Sequence, residues 1–456
     1  MTQEQKPWYR EMNGYHWWIL CVATMGWMFD TMDQRLFVLA RGRALEDLLA
    51  VSPGDKIIDS YGAIATALLL IGWATGGLVF GVLGDRWGRA KTMFLAIFVY
   101  SMFTGLSAIS VSWWDFCLYR FLTGLGVGGE FAAGVALVAE VMPSRARPHA
   151  LGLLQAMSAV GNITGSLIGF FLLKRTLHFG VGALGIEALT GWRLMFLAGV
   201  IPALLFAFLM RTVREPDTWI AAKQAAKKRA ENGLAPGAPR EKLGSWQELF
   251  GDRRWRYNAL IGITLVLAGA IGLWAVGFWT PELMRNHVLV GRTKGYQDEV
   301  VSLATALQDV GALLGMLAFT WLTARIGRRS AFRLSFLLAL VVVTMVFGGM
   351  TQQWQIWWMI PLLGFATLSV FGGYAIYLPE LFPTRLRSTG TGFCYNVARY
   401  LTAVGLFVMG SLIVFYTWLG FAAPFRWATV TVALIYVLGL VILPFAPETK
   451  DQPLPE

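Results

Sequence analysis

The chain has 456 residues, of which 56% are hydrophobic and 14% are charged, and its mean hydropathy is +0.56. Water-soluble domains carry about 25% charged residues, so this composition excludes an ordinary soluble protein. The net charge of +11 does not imply a nucleic-acid partner, because the basic residues gather between apolar runs on one side of the predicted membrane. We therefore expect a multi-pass protein embedded in the lipid bilayer.

Apolar runs separated by charged clusters predict twelve membrane-spanning helices, since one span needs about 20 apolar residues. The first six lie near 17–39, 60–83, 92–110, 115–138, 150–173 and 192–210. The second six lie near 257–280, 299–323, 331–349, 354–377, 390–416 and 425–445. These runs define an N-terminal bundle at 1–210, a basic cytoplasmic linker at 211–256 and a C-terminal bundle at 257–456.

The distribution of Lys and Arg predicts the orientation. With the N-terminus inside, the inner segments carry 25 of these residues and the outer segments 10, which leaves Arg35, Arg120 and Arg399 within spans. This bias places both termini in the cytoplasm and the protein in the cell membrane. The three cysteines lie far apart in or beside apolar runs, so we expect no disulfide framework, no metal site and no cofactor.

An internal repeat relates the two sets of spans. The segment GDRWGRA at 84–90 matches TARIGRR at 323–329, and EVMPSRAR at 140–147 matches ELFPTRLR at 380–387. The two matches have nearly the same offset, 239 and 240 residues. This agreement indicates that the halves are parallel copies, an arrangement in which a substrate site lies between two moving bundles.

Three of the motifs resemble those of the major facilitator superfamily. The segment GVLGDRWGRAK at 81–91 resembles the loop signature of that family between its second and third spans. RFLTGLGVGGE at 120–130 is similar to its fourth-span signature, and REPDTW at 214–219 to the segment that closes the sixth span in sugar and metabolite porters. The resemblance covers essentially the whole chain. It implies an all-α integral membrane fold of twelve transmembrane helices in two six-helix bundles.

The Gly-Gly-Glu of the fourth span and an Asp in the first span look most like the metabolite:proton symporter branch, which carries small carboxylates such as aromatic acids, nicotinate and sialate. By this resemblance, Asp85 and Arg89 are expected to hold the cytoplasmic side closed. Ala324 replaces the aspartate in the second copy, so this contact is expected in the N-terminal half only. Alternatively, these charges only set the topology. The candidate gating residues are Asp85, Arg86, Arg89, Glu140, Arg145, Arg147, Arg325, Arg328, Glu380 and Arg385.

Ionisable residues within the spans are candidates for proton coupling, because a charge at the bilayer centre costs about 2.5–3.5 kcal/mol and needs a cavity or a partner. All four histidines lie in loops or at span edges, which leaves carboxylates as proton carriers. The candidates are Asp30, Asp33 and Glu130. Each could instead belong to a structural ion pair within one half. We expect Asp30 and Glu130 to be exposed to a central cavity lined by the first, fourth, seventh and tenth spans.

Arg399, well inside the eleventh span, is the main candidate for substrate binding. A guanidinium at this depth can bind a carboxylate through two hydrogen bonds. The sequence allows equally that Arg399 forms a salt bridge with Asp309 of the eighth span. Further polar side chains in the spans are suited to orienting a substrate. The full set of substrate-binding candidates is Arg399, Asn396, Gln155, Asn162, Gln308 and Asp309.

The sequence therefore predicts a secondary active transporter that imports a small organic metabolite, a carboxylate in the first place, together with a proton. Its expected partners are the substrate, protons and the lipid bilayer, and it is expected to function as a monomer. The alternative is a sugar-type or other neutral-solute porter, which a mid-membrane arginine suits less well. The chain contains no nucleotide-binding loop, metal cluster or nucleophile triad, so an enzyme is not expected.

Overall fold

The computed structural model describes residues 7–52, 55–173, 175–177, 188–200, 212–231 and 242–455. The helices before the linker are α1 (Gly14–Leu48), α2 (Lys56–Trp87), α3 (Arg89–Ser107), α4 (Trp113–Val141), α5 (Arg147–Leu172) and α6 (Gly191–Ala198). The linker holds α7 (Asp217–Glu231) and α8 (Trp246–Gly251). The remaining helices are α9 (Arg253–Leu283), α10 (Lys294–Ile326), α11 (Arg328–Gly349), α12 (Gln353–Glu380), α13 (Arg387–Trp418), α14 (Pro424–Ala433) and α15 (Ile435–Ile442).

Shorter elements connect these helices. Among the described residues, 3-10 helices lie at Trp8–Glu11, Thr384–Leu386 and Leu443–Phe445, and a π-helix lies at Met284–Val288. The strands β1 (Thr176–Leu177) and β2 (Leu189–Thr190) pair in an antiparallel ribbon between α5 and α6.

Within the described ranges, nine helical segments are long and apolar enough to cross a membrane. They match the predicted spans except the first, the sixth and the eleventh. The helix α1 has the length of a span but carries Asp30, Asp33 and Arg35 within its apolar run. Among the described residues of α13, the apolar segment is Val408–Trp418, which is shorter than a full span. The sixth predicted span begins with α6, and its continuation at 201–211 lies outside the described residues.

The repeated sequence motif forms the same turn in both halves. Gly88 separates α2 from α3 with φ of 125°, and Gly327 separates α10 from α11 with φ of 88°. Glycine adopts these positive φ angles without the steric cost that a Cβ imposes. The repeat extends to helix packing, because a Cβ on Gly76 of α2 would overlap the Leu125 carbonyl of α4, and a Cβ on Gly315 of α10 would overlap the Phe365 carbonyl of α12.

The two halves meet along two seams. One seam joins α2 to α13, and the other joins α5 to α10. We call the side of the molecule that carries the α2–α3 and α4–α5 turns, together with α7 and α8, the loop face.

A glutamate after the last helix of each half caps the third helix of that half. Glu215 accepts hydrogen bonds from the backbone N–H groups of Ala90 and Lys91, at 3.2 and 3.1 Å. Glu448 accepts from Arg328 and Arg329, at 3.0 and 3.1 Å. The first N–H groups of a helix lack intrahelical partners and carry partial positive charge, so these carboxylates stabilise the starts of α3 and α11.

The Glu448 cap predicts a pH-dependent contribution to stability. Partial burial raises the pKa of Glu448, but the backbone N–H groups of Arg328, Lys450 and Arg329, with the charge of Arg328, outweigh burial and hold the pKa below its usual 4.5. A carboxylate whose pKa is lowered by folding stabilises the folded state above its unfolded pKa and loses this effect as the pH falls through the folded-state value.

We therefore expect Glu448→Gln to lower the apparent Tm in detergent at pH 7, by a few degrees for a cap worth about 1 kcal/mol. The difference from the wild-type protein should shrink as the pH is lowered from 7 toward about 3, because protonation of the glutamate removes the charge-dependent part of the cap. Thermal unfolding at the two pH values measures this, with Asp451→Asn as the control, because the Asp451 side chain is 84% exposed. An equal loss of Tm at both pH values would contradict the prediction.

Candidate functional site

Asp85, near the end of α2, joins the two halves at the loop face. Its carboxylate accepts hydrogen bonds from the backbone N–H of Ser388 at 3.1 Å, from that of Thr389 at 2.8 Å, and from the Thr389 hydroxyl at 2.6 Å. Both N–H groups belong to the first turn of α13, so the carboxylate also meets the positive end of that helix. The side chain is completely buried. This contact holds α2 and α13 together at the loop face.

A chain of buried charges continues from Asp85 into both halves. Arg89 lies 3.0 Å from the Asp85 carboxylate and 2.9 Å from that of Glu140, and Glu140 lies 2.7 Å from Arg387 of the other half. All four side chains are fully buried. Sequence reasoning missed Arg387 as a gating candidate, although it occupies in the second repeat the place that Arg147 occupies in the first.

The other gating candidates make different contacts. Arg328 pairs with Glu380 at 2.8 Å within the C-terminal half, where it repeats the Arg89–Glu140 pair. The linker contacts Arg86, through the Gly244 carbonyl, and Arg385, through Glu248. Arg147 of α5 donates to the Ala139 carbonyl of α4, and Arg145 pairs with Glu11 of the first 3-10 helix. Arg325 lies over the Trp321 ring of its own helix. The structure thus brings Asp85, Arg89 and Glu140 into one inter-half network and places these other candidates around it.

Aromatic rings meet deeper in the membrane, between α1, α4 and α13. The Phe131 ring stacks on that of Tyr395 across the two halves with centroids 3.8 Å apart. Trp27 lies against the other side, 4.8 Å from the Phe131 centroid. The stack of Phe131 on Tyr395 brings the two bundles into contact deeper in the membrane than the charge network.

Arg399 is buried beside these rings, with 8% of its surface exposed. Its Nη1 donates to Asn396 Oδ1 at 2.8 Å and to the Tyr395 carbonyl at 3.1 Å. The guanidinium lies 3.9 Å from the Trp73 ring centroid. Its Nε has no hydrogen-bond partner, and no carboxylate lies within salt-bridge distance, in the part of the chain that the structure describes.

The predicted alternative, an Arg399–Asp309 salt bridge, is wrong in this structure. Asp309 pairs instead with Arg35 of α1 at 2.6 Å, and Asn162 of α5 donates to its other oxygen at 3.4 Å. Sequence reasoning missed this inter-half pair, because one charge of the pair lies in each half. Asp309 and Asn162 therefore take part in the contact with Arg35 and not in a contact with Arg399.

Two of the remaining substrate-binding candidates lie close to Arg399 and one does not. Asn396 bonds Arg399 directly, and Gln155 lies within hydrogen-bonding range of Tyr395. Gln308 lies on α10 against Gly364 of α12.

The three proton-coupling candidates are buried within the first half. The exposed fractions of Asp30, Asp33 and Glu130 are 0%, 2% and 1%. The expectation that Asp30 and Glu130 are exposed to a central cavity is therefore wrong for this conformation, because packing of α1 and α3 on α4 encloses both. Asp30 lies within electrostatic range of Glu130, Asp33 and Arg399. In the predicted seventh span, the side chains at 274–278 lie outside the described residues.

Asp33 has a basic partner within the same half. Its carboxylate lies 3.7 Å from Arg120 Nη1, and Arg120 also donates to the Ser107 hydroxyl at 2.6 Å. Within the described ranges, no group of three or more His, Cys, Asp or Glu side chains is placed to hold a metal ion. Among these residues, the site consists of Arg399, which has no carboxylate within salt-bridge distance, and of three buried carboxylates, of which Asp33 pairs with Arg120.

We expect Asp85→Asn to loosen the loop face without impairing insertion or substrate affinity, because the contact is remote from Arg399. Loss of a buried charged acceptor is worth about 1–3 kcal/mol, which is roughly a 5- to 150-fold change in the opening equilibrium. In a cysteine-free background, a reporter cysteine at the buried Ala132 between α4 and α13 should react faster with a maleimide, and turnover should slow. Asp298→Asn, which removes a carboxylate that is 65% exposed, is the control. Wild-type labelling and turnover in Asp85→Asn would contradict a gating role.

Comparison with known proteins identifies the family and the fold of the chain. The family model described as "Sugar (and other) transporter" matches residues 36–456. The chain is 29% identical over 445 residues to a provisionally assigned metabolite transport protein of Haemophilus influenzae, which covers 97% of this chain and 99% of the relative. Two of the relatives from Acinetobacter baylyi are a cis,cis-muconate transport protein, 27% identical over 75% of this chain and 76% of its own, and the niacin transporter NiaP, 25% identical over 84% of each.

A solved structure shows the same fold. The major facilitator superfamily proton:xylose symporter XylE of E. coli superposes with a TM-score of 0.76 at 20% identity, covering 96% of this chain and 98% of XylE. This likeness confirms the predicted fold of twelve helices in two six-helix bundles. The relatives named here are membrane transporters rather than enzymes. The chain belongs to the sugar (and other) transporter family and is a multi-pass membrane transporter that binds small-molecule substrates.

Proposed function

We propose that this transporter imports a small organic carboxylate together with a proton. The observation that carries the proposal is Arg399, a buried cation that meets no carboxylate among the described residues. An unpaired charge inside a membrane protein is costly and is retained where a ligand or a pathway uses it. A substrate carboxylate would supply the missing negative charge.

The surroundings of Arg399 support binding of a planar acid group. Asn396 holds Nη1, and the Trp73 ring lies against the guanidinium, so the side chain is oriented before a substrate arrives. The free Nε can donate one of the two parallel hydrogen bonds that a carboxylate accepts. Relatives named as cis,cis-muconate and niacin transporters support a carboxylate substrate.

Asp30 supports a link between substrate and proton. It lies within electrostatic range of Arg399 and of Glu130. A substrate anion on Arg399 would add a negative charge beside Asp30, Asp33 and Glu130, and a proton bound among these carboxylates would compensate it. Uptake of an anion would then draw in a proton.

We further propose that the loop face is cytoplasmic, with both termini inside the cell, because the basic linker lies on this face. The structure would then be closed to the cytoplasm by the Asp85 and Glu140 contacts and would receive substrate from outside. Arg399, the carboxylates and the closing contacts all come from one chain, which supports a functional monomer.

A neutral-solute porter is the second candidate, because Trp27, Trp73 and Phe131 can also stack on a sugar ring and the fold matches that of a xylose symporter. An uptake screen in proteoliposomes, with aromatic and aliphatic carboxylates, sugars and external pH recorded together, separates the candidates. We expect saturable uptake of a carboxylate with alkalinisation outside. Uptake of sugars alone would contradict a carboxylate substrate, and carboxylate uptake without a pH change would contradict symport.

Substitutions of Arg399 test the anion site itself. Arg399→Lys keeps the charge but loses the planar fork, so we expect substrate affinity to fall by about 10-fold or more. Arg399→Ala should lose about 3–5 kcal/mol of binding, as when one partner of a buried ion pair is removed. Binding to purified protein measures both, with Arg426→Lys, whose guanidinium donates to backbone carbonyls away from the site, as the control. Unchanged affinity in Arg399→Ala would exclude an anion-binding role.

A further inference from the structure

A group of buried polar side chains lies between α1, α3 and α4 in the first half. The helix α3 carries the hydroxyls of Tyr100, Thr104 and Ser107 at spacings of four and three residues, which places them along one face. This face meets the carboxylates of α1 and the polar groups of α4. The Ser107 hydroxyl bonds Arg120, whereas Ser101, next to Tyr100 on α3, is also buried without a well-formed hydrogen bond to a described residue. We call the group formed by Asp30, Asp33, Tyr100, Ser101, Thr104 and Glu130 the α3 chamber.

The α3 chamber contains more polar atoms than the protein satisfies. Its six side chains are all at most 2% exposed. Both oxygens of Asp30, one oxygen each of Asp33 and Glu130, and the three hydroxyls lack a well-formed hydrogen bond to any described residue. Weaker contacts join Asp30 to Gln34, Asp33 to Thr104 and Tyr100 to Ser101. Each such group costs about 1–3 kcal/mol when it is buried without a partner. A dry chamber would therefore be strongly destabilising.

Internal water resolves this cost. Buried waters in proteins make about three hydrogen bonds each, to polar groups that otherwise have no partner. The chamber offers both acceptors, in the carboxylates, and groups that donate and accept, in the hydroxyls. Several waters bound here would connect the side chains that do not reach one another directly.

Tyr100 lies near the three carboxylates of this group. It is within electrostatic range of Asp30, Glu130 and Asp33. Its own backbone is fixed, because α3 packs closely on Gly126 of α4 at this position. A phenolic hydroxyl held here can donate to one carboxylate and accept from a water.

We propose that the α3 chamber binds internal water and that Tyr100 is the central hydroxyl of a proton relay among Asp33, Asp30 and Glu130. The proposal rests on the proposed proton symport and assigns its path. In one transfer, a protonated carboxyl gives its proton to a water or to the Tyr100 oxygen, which at the same time releases its original proton to the next carboxylate. One O–H bond forms for each that breaks, so Tyr100 is neutral before and after, and one charge moves across the chamber.

The two ends of the relay differ. At one end Asp33 faces Arg120, whose guanidinium is covered by the Phe37, Phe116 and Phe196 rings at 5.8, 6.0 and 4.6 Å. This aromatic cover excludes water from the far side of Arg120. At the other end Asp30 lies within electrostatic range of Arg399. The affinity of the chamber for a proton therefore depends on whether a substrate anion is bound to Arg399.

The test is Tyr100→Phe, which removes one hydroxyl and keeps the ring. Tyr436→Phe is the matched control, since Tyr436 is also completely buried with a hydroxyl that has no partner, but lies in the other half with no carboxylate of the chamber nearby. Proton-driven uptake should fall by about tenfold or more in Tyr100→Phe. Counterflow, which exchanges labelled for unlabelled substrate without net proton release, should stay near the wild-type rate. Tyr436→Phe should change neither.

A structural role for Tyr100 would instead lower the apparent Tm and slow both uptake and counterflow. We expect the Tm of Tyr100→Phe to stay close to that of the wild-type protein, because the waters that bond the hydroxyl can bond the remaining polar groups of the chamber. Equal losses in the two transport modes, or wild-type proton-driven uptake, would overturn the relay.

Radiolytic hydroxyl-radical footprinting tests the bound water in the wild-type protein. Water held against a buried side chain is the source of radicals that modify it, so Tyr100 should be modified while Tyr436 stays protected. Protection of both residues would overturn the hydrated chamber. Failure of the proposed function would be seen in a different measurement. If the wild-type protein moves its substrate without any pH change, proton symport itself is contradicted, whatever the behaviour of Tyr100→Phe.

Discussion

The carboxylate of Asp85 on the first turn of α13 is the contact on which the closed arrangement depends. It joins the halves through two backbone N–H groups and one hydroxyl, and it holds Arg89 in place by an ion pair. Arg89 in turn fixes Glu140, which binds Arg387 across the interface. With α4 and α13 held together at the loop face, the Phe131 and Tyr395 rings stack deeper in the membrane. One buried acid thereby positions a series of contacts from the loop face toward Arg399.

Charge inside the membrane is balanced at the loop face and unbalanced in the interior. Every carboxylate of the loop-face network meets an arginine or a helix N-terminus. Arg399, in contrast, lacks an anion within salt-bridge distance among the described residues, whereas of Asp30, Asp33 and Glu130 only Asp33 lies within salt-bridge distance of an arginine, Arg120. A surplus of positive charge thus lies beside a surplus of negative charge. Two ligands of opposite sign, a carboxylate and a proton, would neutralise both, which gives a physical reason for binding them together.

The sequence predicted the features that depend on local pattern. Apolar runs predicted the spans, and the repeated motifs at 84–90 and 323–329 predicted equivalent halves, because both signals lie in contiguous residues. The sequence could not show pairing across the halves. Asp309 bonds Arg35, 274 residues away, and not Arg399. Nor could it show that Asp30 and Glu130 are enclosed, because burial of a helix face depends on how α1, α3 and α4 pack. Tyr100 gave no signal, since a lone tyrosine in an apolar run is an ordinary core residue.

The second repeat lacks the inter-half acid contact for two reasons. Ala324 stands where Asp85 stands in the first repeat, and Pro148, in the first turn of α5, stands where Ser388 donates its N–H in α13. Proline has no N–H to offer, so both the acceptor and one donor are missing at the loop face of the α5–α10 seam. The two seams therefore resist separation unequally. When the loop face opens, the bundles should part first beside α5 and α10 and rotate about the α2–α13 side. The inward path of a substrate would then run off-centre, along one flank of the molecule.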